Sequence, residues 1–213
     1  RRFEYAGVSL SNGVNIIKMK PKRAGIISMD KIALIKEMKK RGVYAAAFIA
    51  TEKIPFDPEL RKSCTPKRCQ SFGKNWGCPP DVGEINMLIA KAKSYDSALV
   101  YETVYQLEDS FDYEGMLEGG VRHKQITNDI SELVKNELGG AVLQLSAGGC
   151  TVCETCSKLE NQPCRFPEKA IHSVSAYGIY VSKLAKLCGL NYNNGENTVT
   201  LFGIFFFNEK GTC

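Results

Sequence analysis

The sequence lacks several features that would assign it to a common class of protein. No run of about 18 apolar residues is present, which excludes a conventional membrane-spanning helix. Neither the G-x-G-x-x-G loop of dinucleotide-binding folds nor the G-x4-G-K-[ST] phosphate loop occurs, so the motifs predict no nicotinamide and no nucleoside triphosphate. With only two histidines the chain shows no Ser-His-Asp arrangement. Without a C-x3-C-x2-C run it shows no sign of S-adenosylmethionine radical chemistry.

Cysteine, in contrast, is abundant, because nine occur among 213 residues and a hydrophobic core needs far fewer. Secreted disulfide scaffolds are short, carry a signal peptide and hold an even number of cysteines. Here the number is odd, and the first residues, RRFEYAGVSL, do not resemble a signal peptide. We therefore expect a protein of the reducing cytoplasm, in which metal binding explains the cysteines better than disulfides do.

Alternating sequence patterns predict an α/β fold. Helices are predicted over SMDKIALIKEMKKRG, from Asp81 onward, over a stretch ending near Gly139 and Gly140, and from Ser175 to Leu187. Strands are predicted over Val43–Ile54, Ser97–Leu107, Ala141–Ser146 and the final NTVTLFGIFFF. Ser28 is expected to cap the first helix, and Asp81 with Glu84 forms a D-x-x-E capping box for the second. This order predicts a sandwich of helices on a mostly four-stranded sheet, with two cysteine-rich metal-binding loops.

The denser cysteine group lies in GGCTVCETCSKLENQPC, directly after a predicted strand. Cys150, Cys153 and Cys156 follow a C-x2-C-x2-C pattern, and Cys164 comes after seven further residues. A cuboidal [4Fe–4S] cluster has four iron corners, so three closely spaced thiolates can bind three of them while a more distant cysteine binds the fourth. The start matches the bacterial ferredoxin run C-x2-C-x2-C-x3-C-P, although the last gap is longer and the proline stands at Pro167. We predict these four cysteines as ligands of one cluster.

Zinc is the alternative metal for this group. A structural zinc site usually takes two C-x2-C pairs from separate places in the chain. A third cysteine one step along the same loop suits zinc less well, because all its sulfur ligands must converge on one ion. The spacing therefore favours an iron–sulfur cluster, and a zinc-stabilised binding module stays open as an alternative.

The other cysteine group lies in SCTPKRCQSFGKNWGCPP, where Cys64, Cys69 and Cys78 are spaced C-x4-C-x8-C. Four basic residues surround these cysteines and are expected to favour their thiolate form and to dock an acidic redox partner or an anionic substrate: Lys62, Lys67, Arg68 and Lys74. We predict a second cluster here. Because both loops are expected to leave strands and enter helices, the two groups should open at the same end of the sheet and face each other.

Three cysteines leave the fourth iron of such a cluster without a cysteine from its own loop. Cys188, at a predicted helix end, is the first choice for this position, ahead of Cys213, His123 and His172. If no side chain fills the position, the open iron can bind substrate as a Lewis acid. Enzymes that dehydrate hydroxy acids or remove sulfur from thio-compounds use such irons, so an enzyme of the dehydratase or desulfidase type is an alternative function.

Several stretches together resemble a known family: IPFDPELRKSC, CQSFGKNWGCPP, GGCTVCETCSKLENQPCRFPEKA and SAYGIYVSKLAKLCGL. They are similar to a family of small predicted metal-binding proteins, a domain of unknown function, from anaerobic bacteria and archaea. The resemblance implies metal binding. In that family a start like MDKIALIKEM opens the domain, so we expect residues 29–213 to form a single α/β metal-binding domain and residues 1–28 to be an extension.

The residues together predict a protein with one or two [4Fe–4S] clusters that transfers electrons to a larger redox enzyme. The net charge of +5 comes from the first third of the chain, where no aromatic residues alternate with the basic ones as they do on a base-stacking surface. We therefore expect a redox partner protein and no nucleic acid or membrane, while a small-molecule substrate stays open.

Overall fold

The computed structural model describes residues 30–209 of the chain. Its α-helices there are α1 (Lys31–Lys40), α2 (Ile85–Lys93), α3 (Tyr113–Leu138) and α4 (Val181–Leu187). Its strands are β1 (Ala45–Ala50), β2 (Ser97–Gln106), β3 (Leu143–Ser146), β4 (His172–Ser173) and β5 (Thr198–Phe207). No helix in this part of the chain is long and apolar enough to cross a membrane. The expected extension, residues 1–28, and Cys213 lie outside the described residues.

One sheet contains all five of these strands, in the order β1–β2–β5–β3–β4. Neighbouring strands are antiparallel except for β3 and β4, which are parallel. The strands β2 and β5 pair over ten residues each, from Ser97 opposite Phe207 to Gln106 opposite Thr198. The predicted α/β sandwich is confirmed, and the two-residue strand β4 is the addition that the sequence pattern did not predict.

Each face of the sheet carries its own hydrophobic core, because successive residues of a strand point to opposite faces. On one face, Val100 and Phe206 pack in a cluster that includes Leu88 of α2 and Leu184 of α4. On the other face, their chain neighbours pack with residues of α1 and α3: Leu99 and Phe205, with Leu34, Met38, Ile130 and Val134. Covering of both faces explains why the central strand β5 can end in three consecutive phenylalanines, all buried.

Both expected helix caps differ from the observed ones. Helix α1 is capped by Asp30, whose carboxylate accepts hydrogen bonds from the backbone N–H groups of Ile32 and Ala33, each 3.0 Å long. The expected cap, Ser28, lies outside the described residues. Helix α2 begins after Glu84 without a side-chain cap, so the predicted capping box is wrong. The Asp81 carboxylate is instead paired with Lys158 in the other cysteine loop.

The helix predicted from Ser175 to Leu187 is divided in two. A short 3₁₀ helix covers Val174–Tyr177, and α4 starts only at Val181. Gly178 lies between them with φ +61°, and a Cβ atom at this position would lie 2.6 Å from the carbonyl oxygen of Asp57. The close approach of these two backbones explains the break.

The loops after β1 and β3 start at opposite ends of the sheet, so the expected reason for their meeting was wrong. Three successive antiparallel pairings, through β2 and β5, make β3 run opposite to β1. The loops meet because the chain after β1 returns across one face of the sheet. On its way Asp57 donates a backbone hydrogen bond of 2.6 Å to the oxygen of Gly178, and Tyr180 donates one of 2.9 Å to Pro55.

Candidate metal centre

The four cysteines of the C-terminal group surround one cavity. It follows β3, and its walls include Cys150, Cys153, Cys156 and Cys164, together with Trp76 and Phe166. All four cysteines are half-buried and free of disulfides. The loop thus brings together the side chains that the sequence predicted as one ligand set, with aromatic rings beside them.

The donor set has the number and kind of ligands that a [4Fe–4S] cluster takes, namely four thiols from one loop. Within residues 30–209 no three cysteine, histidine or carboxylate side chains converge closely enough to hold one metal ion. The space between the four cysteines is about 20 Å³, close to that of one water molecule. The four side chains would have to move apart to hold a cluster, whereas they would have to move together to hold a single ion.

Cys150 already has the surroundings of a sulfur ligand. Its Sγ accepts a hydrogen bond of 3.5 Å from the backbone N–H of Ile171. Burial raises the pKa of the thiol, while the backbone N–H groups of Val152 and Ile171 lower it and the neighbouring Cys156 and Cys164 raise it. Backbone N–H groups that point at a sulfur stabilise a thiolate and, in a cluster, its reduced state.

The three cysteines of the first loop lie close together. The pKa of the Cys78 thiol is raised to about 11, chiefly by burial and to a smaller extent by the charges of Cys69, Cys64 and Cys150. The pKa of Cys64 is also raised, first by burial and then by Cys69. The expected lowering by the basic residues is thus reversed at these two cysteines.

The four basic residues of this loop are on the surface, which explains their weak effect on the thiols. Water screens their charges from the sulfurs of Cys64 and Cys69, which are half-buried, and of Cys78, which is buried. All four side chains are exposed: Lys62, Lys67, Arg68 and Lys74. Lys62 pairs with Glu59 on the surface, and the other three remain accessible to an external partner.

Asn75 joins the two cysteine loops, and sequence reasoning missed it. It is buried, and its Oδ1 accepts hydrogen bonds from the backbone N–H groups of Gly77, at 3.1 Å, and Cys150, at 3.5 Å. Its Nδ2 donates to the carbonyl oxygen of Ser71 at 3.2 Å, and a further hydrogen bond lowers the pKa of Cys78. A lone asparagine in a loop carries no sequence pattern that would have identified this role.

Backbone contacts bring the two groups into direct proximity. A Cβ atom on Gly77 would lie 3.4 Å from the Cβ of Cys150 and 2.5 Å from the carbonyl oxygen of Ile171. The carbonyl oxygen of Gly77 accepts a hydrogen bond of 2.9 Å from Ser173 of β4. Residue 77 must therefore be glycine for Cys78 to approach the second loop.

Trp76 closes the cysteine cavity from the side of the first loop. Its indole N–H donates a hydrogen bond of 3.0 Å to the carbonyl oxygen of Gln162. The Lys158 ammonium lies 4.7 Å from the centre of the ring and forms an ion pair of 2.6 Å with Asp81. These contacts hold the indole against the cysteines.

Cys188 lies elsewhere in the fold. It ends α4 and packs against the hydrophobic core of that face of the sheet. Burial raises the pKa of its thiol to about 11, with no contribution from the other described cysteines. The structure thus places seven of the eight predicted cysteine ligands in two adjoining loops and leaves Cys188 apart.

Both histidines are engaged by other side chains. The buried His123 bonds to Thr103 through Nδ1, at 2.7 Å, and to Ser146 through Nε2, at 3.0 Å. His172 bonds to the Tyr177 hydroxyl at 2.8 Å through Nδ1. Burial lowers the pKa of each imidazole to about 4, so both are neutral at pH 7. His172 also lines an open cavity of about 460 Å³ that shares Trp76 and Cys164 with the cysteine site.

Comparison with known families gives a match over most of the chain. A family model described as "Predicted metal-binding protein (DUF2284)" matches residues 47–207. No curated protein and no solved structure matches the sequence. The matched range includes both cysteine loops and every strand except the first two residues of β1.

Proposed function

Because the chain belongs to this family of predicted metal-binding proteins, we propose that it is a cytoplasmic iron–sulfur protein that transfers electrons to a larger redox enzyme. The arrangement of the C-terminal group carries the proposal, since Cys150, Cys153, Cys156 and Cys164 surround one cavity. Four sulfurs around a cavity suit a cluster with four separate iron corners better than one ion that needs them at a single point.

The residues around the cavity have distinct tasks. The four cysteines hold the metal, and Trp76 and Phe166 keep water from it. The backbone N–H of Ile171 donates to the sulfur of Cys150 and orients it. When bound, a [4Fe–4S] cluster supplies one-electron transfer at a potential that burial and hydrogen bonds to sulfur adjust.

The proximity of the first group favours electron transfer over a purely structural metal. Cys78 lies close enough to Cys150 for the charge of one to affect the pKa of the other. If Cys64, Cys69 and Cys78 hold a second cluster, electrons pass between two centres that neighbouring residues bind. The exposed basic residues around the first group then lie on the side that a partner reaches.

Metal content and colour test the proposal. The chain is produced with iron and sulfide available, purified without oxygen, and analysed for iron, acid-labile sulfide and zinc, together with its absorption spectrum. We expect about four irons per chain for one cluster or about eight for two. A colourless protein that contains zinc would overturn the proposal and favour the zinc-stabilised binding module.

A pair of variants assigns the iron to the C-terminal group. Cys153→Ser should lose about four irons per chain, because it removes one ligand of that group. Cys188→Ser is the matched control, since this cysteine packs in the core away from both groups. Unchanged iron content in Cys153→Ser would contradict the assignment.

A second function is favoured by the position of Cys188. Because it packs in the core, the first group has three cysteines and a fourth position that a substrate can occupy. The chain would then be an enzyme whose open iron binds a small molecule, of the dehydratase or desulfidase type. Added cyanide or a small thiol should change the electron paramagnetic resonance signal of the first group in this case. An unchanged signal would contradict the enzyme and leave electron transfer.

A further inference from the structure

An open cavity of about 460 Å³ lies beside the cysteine cavity. Trp76, Cys164 and Ala170 line both spaces, so a molecule in the open cavity is separated from the candidate metal centre only by these side chains. The volume lies within the range that small-molecule sites occupy. The electron-transfer function proposed above assigns this cavity no ligand.

The walls of the open cavity suit a flat, neutral molecule. Trp76, Ala170 and two prolines, Pro163 and Pro167, contribute apolar surface. The indole N–H of Trp76 already donates to the carbonyl oxygen of Gln162, so the ring offers apolar surface and no further donor. Among the described residues, no lysine, arginine or carboxylate side chain lines the cavity. A ligand that contains an aromatic ring gains stacking against the indole in addition to its burial.

The hydroxyl of Tyr177 fixes where the imidazole of His172 carries its hydrogen. Tyr177 is buried, and its hydroxyl lies 2.8 Å from Nδ1 of His172, its only hydrogen-bond partner among the described residues. A buried O–H without an acceptor is costly, so the hydroxyl donates to Nδ1, and Nδ1 carries no hydrogen. The imidazole is neutral at pH 7, because burial and, to a smaller extent, the charge of Lys91 lower its pKa to about 4. Its hydrogen is therefore on Nε2.

This Nε2–H is a free donor at the cavity. Among the described residues it has no acceptor, and it is not one of the buried side-chain atoms that lack a partner, so it reaches accessible surface. The accessible space that His172 lines is the open cavity. An N–H donor beside an aromatic wall matches a ligand that carries an acceptor oxygen on or next to its ring.

The charges near the cavity make an anion the less suitable ligand. After burial, Lys91 is the second cause of the lowered pKa of His172, so its ammonium lies nearby, but this side chain is exposed and does not line the cavity. Water therefore screens its charge. The ammonium of Lys158, which lies over the ring of Trp76, is paired with Asp81 at 2.6 Å.

We propose that the open cavity binds a neutral aromatic carbonyl compound, whose ring packs beside Trp76 and whose oxygen accepts a hydrogen bond from Nε2 of His172. Quinones and aromatic ketones share this chemistry. The site itself does not depend on the metal. A quinone, as a compound that accepts electrons from the neighbouring centre, is the source that rests on the proposed electron-transfer function.

Equilibrium dialysis of the full chain in sealed cells tests the ligand class with three neutral probes. Tetramethyl-1,4-benzoquinone has no free ring position for a thiol to attack, and acetophenone and isopropylbenzene are similar in size but only the ketone contains oxygen. We expect dissociation constants of about 1 mM or below for both carbonyl compounds. Isopropylbenzene should bind about three- to tenfold more weakly than acetophenone, because it cannot accept the hydrogen bond. Benzoate, the anionic counterpart, should also bind more weakly, and tighter binding of benzoate would overturn the neutral ligand.

Variants of His172 locate the hydrogen bond. His172→Phe keeps a flat ring without the N–H, so it should weaken acetophenone binding by about three- to tenfold and leave isopropylbenzene binding unchanged. His172→Gln supplies an amide N–H and should recover part of the loss. Tyr192→Leu is the control, since Tyr192 is an exposed aromatic residue of a separate cavity of about 700 Å³. Circular dichroism verifies that each variant is folded.

Three results would overturn the proposal. They are absence of binding at millimolar concentration, equal affinity for acetophenone and isopropylbenzene, and a loss of binding in Tyr192→Leu that matches the loss in His172→Phe. The wild-type comparison of ketone and hydrocarbon stands even if a His172 variant does not fold.

The outcomes are distinguishable from those of the metal proposal, because binding is measured on the chain with and without iron. A chain that contains no iron but binds both carbonyl compounds would keep the site and lose the electron-transfer function. A chain with about four irons that binds neither would keep the function and lose the site. Tighter binding of the quinone than of acetophenone would identify an electron acceptor, and the reverse order would identify an aromatic ketone as the ligand.

Discussion

Lys158 and Asp81 form an ion pair of 2.6 Å between the two cysteine loops, and each side chain is only 19% exposed. The same ammonium lies over the ring of Trp76. One lysine of the second loop thus holds both an acid and an aromatic ring of the first. Because these residues are far apart in the chain, the contact holds the two cysteine loops together beside the candidate metal centre.

Replacing Lys158 by methionine should lower the free energy of unfolding by about 2 kcal/mol, because it leaves the Asp81 carboxylate partly buried without its cation. Urea denaturation measures the change. Lys62→Met is the control, since Lys62 pairs with Glu59 on the open surface and its loss should cost at most about 0.5 kcal/mol. An equal loss of unfolding free energy in the two variants would show that the Lys158–Asp81 contact does not stabilise the packing of the loops.

The sequence pattern predicted what depends on local order. The apolar spacing of Ile126, Ile130 and Val134 indicated α3, and runs of β-branched and aromatic residues indicated the long strands. The cysteine spacing likewise identified both loops. Such signals can be recognised in the sequence because each arises within a short, continuous stretch of the chain.

Contacts between distant segments could not be predicted in this way. The residues Asp81 and Glu84 satisfied the local rule for a capping box. The Asp81 carboxylate nevertheless forms an ion pair with Lys158, which is far along the chain. Cys188 lies at the end of a helix, as predicted, but it packs in the hydrophobic core and not beside the other cysteines. The face of the sheet on which α4 packs depends on the whole sheet and cannot be read from the local sequence. Asn75 gave no signal, since its partners belong to a loop that meets it only in the folded chain.

Gly178→Ala should destabilise the fold by about 3 kcal/mol, because the added Cβ meets the carbonyl oxygen of Asp57 at a left-handed residue. Gly189→Ala is a closely matched control. Gly189 has φ +67° against +61° for Gly178, but nothing lies within 4 Å of its Cβ position, so only the backbone strain of about 1 kcal/mol remains. Thermal unfolding of both variants measures the difference. Equal losses would mean that the Asp57 backbone moves aside.

Glu102 should make stability fall as pH rises. The residue is 1% exposed, its Oε2 has no hydrogen-bond partner among the described residues, and burial raises its pKa to about 7 from a model-peptide value of 4.5. The unfolded chain therefore loses this proton first, and between pH 4.5 and 7 rising pH favours unfolding. Glu102→Gln should remove this loss and be the more stable protein at pH 8.

The two histidines act in the opposite direction, so the measurement must be a difference. Their pKa values are lowered to about 4 from 6.5, and their contribution to stability is lost as pH falls through this window. The free energy of unfolding of the wild type, measured in urea, is subtracted from that of Glu102→Gln at each pH. This difference cancels the contribution of the histidines, which both proteins share. The same difference for Glu114→Gln, at an exposed glutamate, provides the baseline for replacing a carboxylate by an amide. A difference that does not grow between pH 4.5 and 7 would contradict a buried, protonated Glu102.

Iron loading should quench the fluorescence of the chain. Trp76 is the single tryptophan in the sequence, and it lines the cysteine cavity, so any metal cluster there lies next to the one indole that emits. Anaerobic reconstitution, followed through the tryptophan emission, measures the effect. Chelation of the iron should restore the emission. Cys153→Ser should stay bright under the same treatment, and quenching of this variant to the wild-type level would place the iron elsewhere.

Asn75→Ala should loosen both cysteine loops at once, because the backbone N–H groups of Gly77 and Cys150 lose their acceptor in a buried place. An unsatisfied buried N–H costs about 1–3 kcal/mol, so a total loss of about 3 kcal/mol is expected. Hydrogen exchange should accelerate in both loops, while α1 exchanges as before.

Asn75→Asp keeps the acceptor and loses the donor to Ser71, so its loss of stability should lie between those of wild type and Asn75→Ala. Asn128→Ala, on the exposed face of α3, is the control. Faster exchange in the first loop alone would show that Asn75 does not couple the two groups, and the path between them would then depend on Gly77 and Cys150.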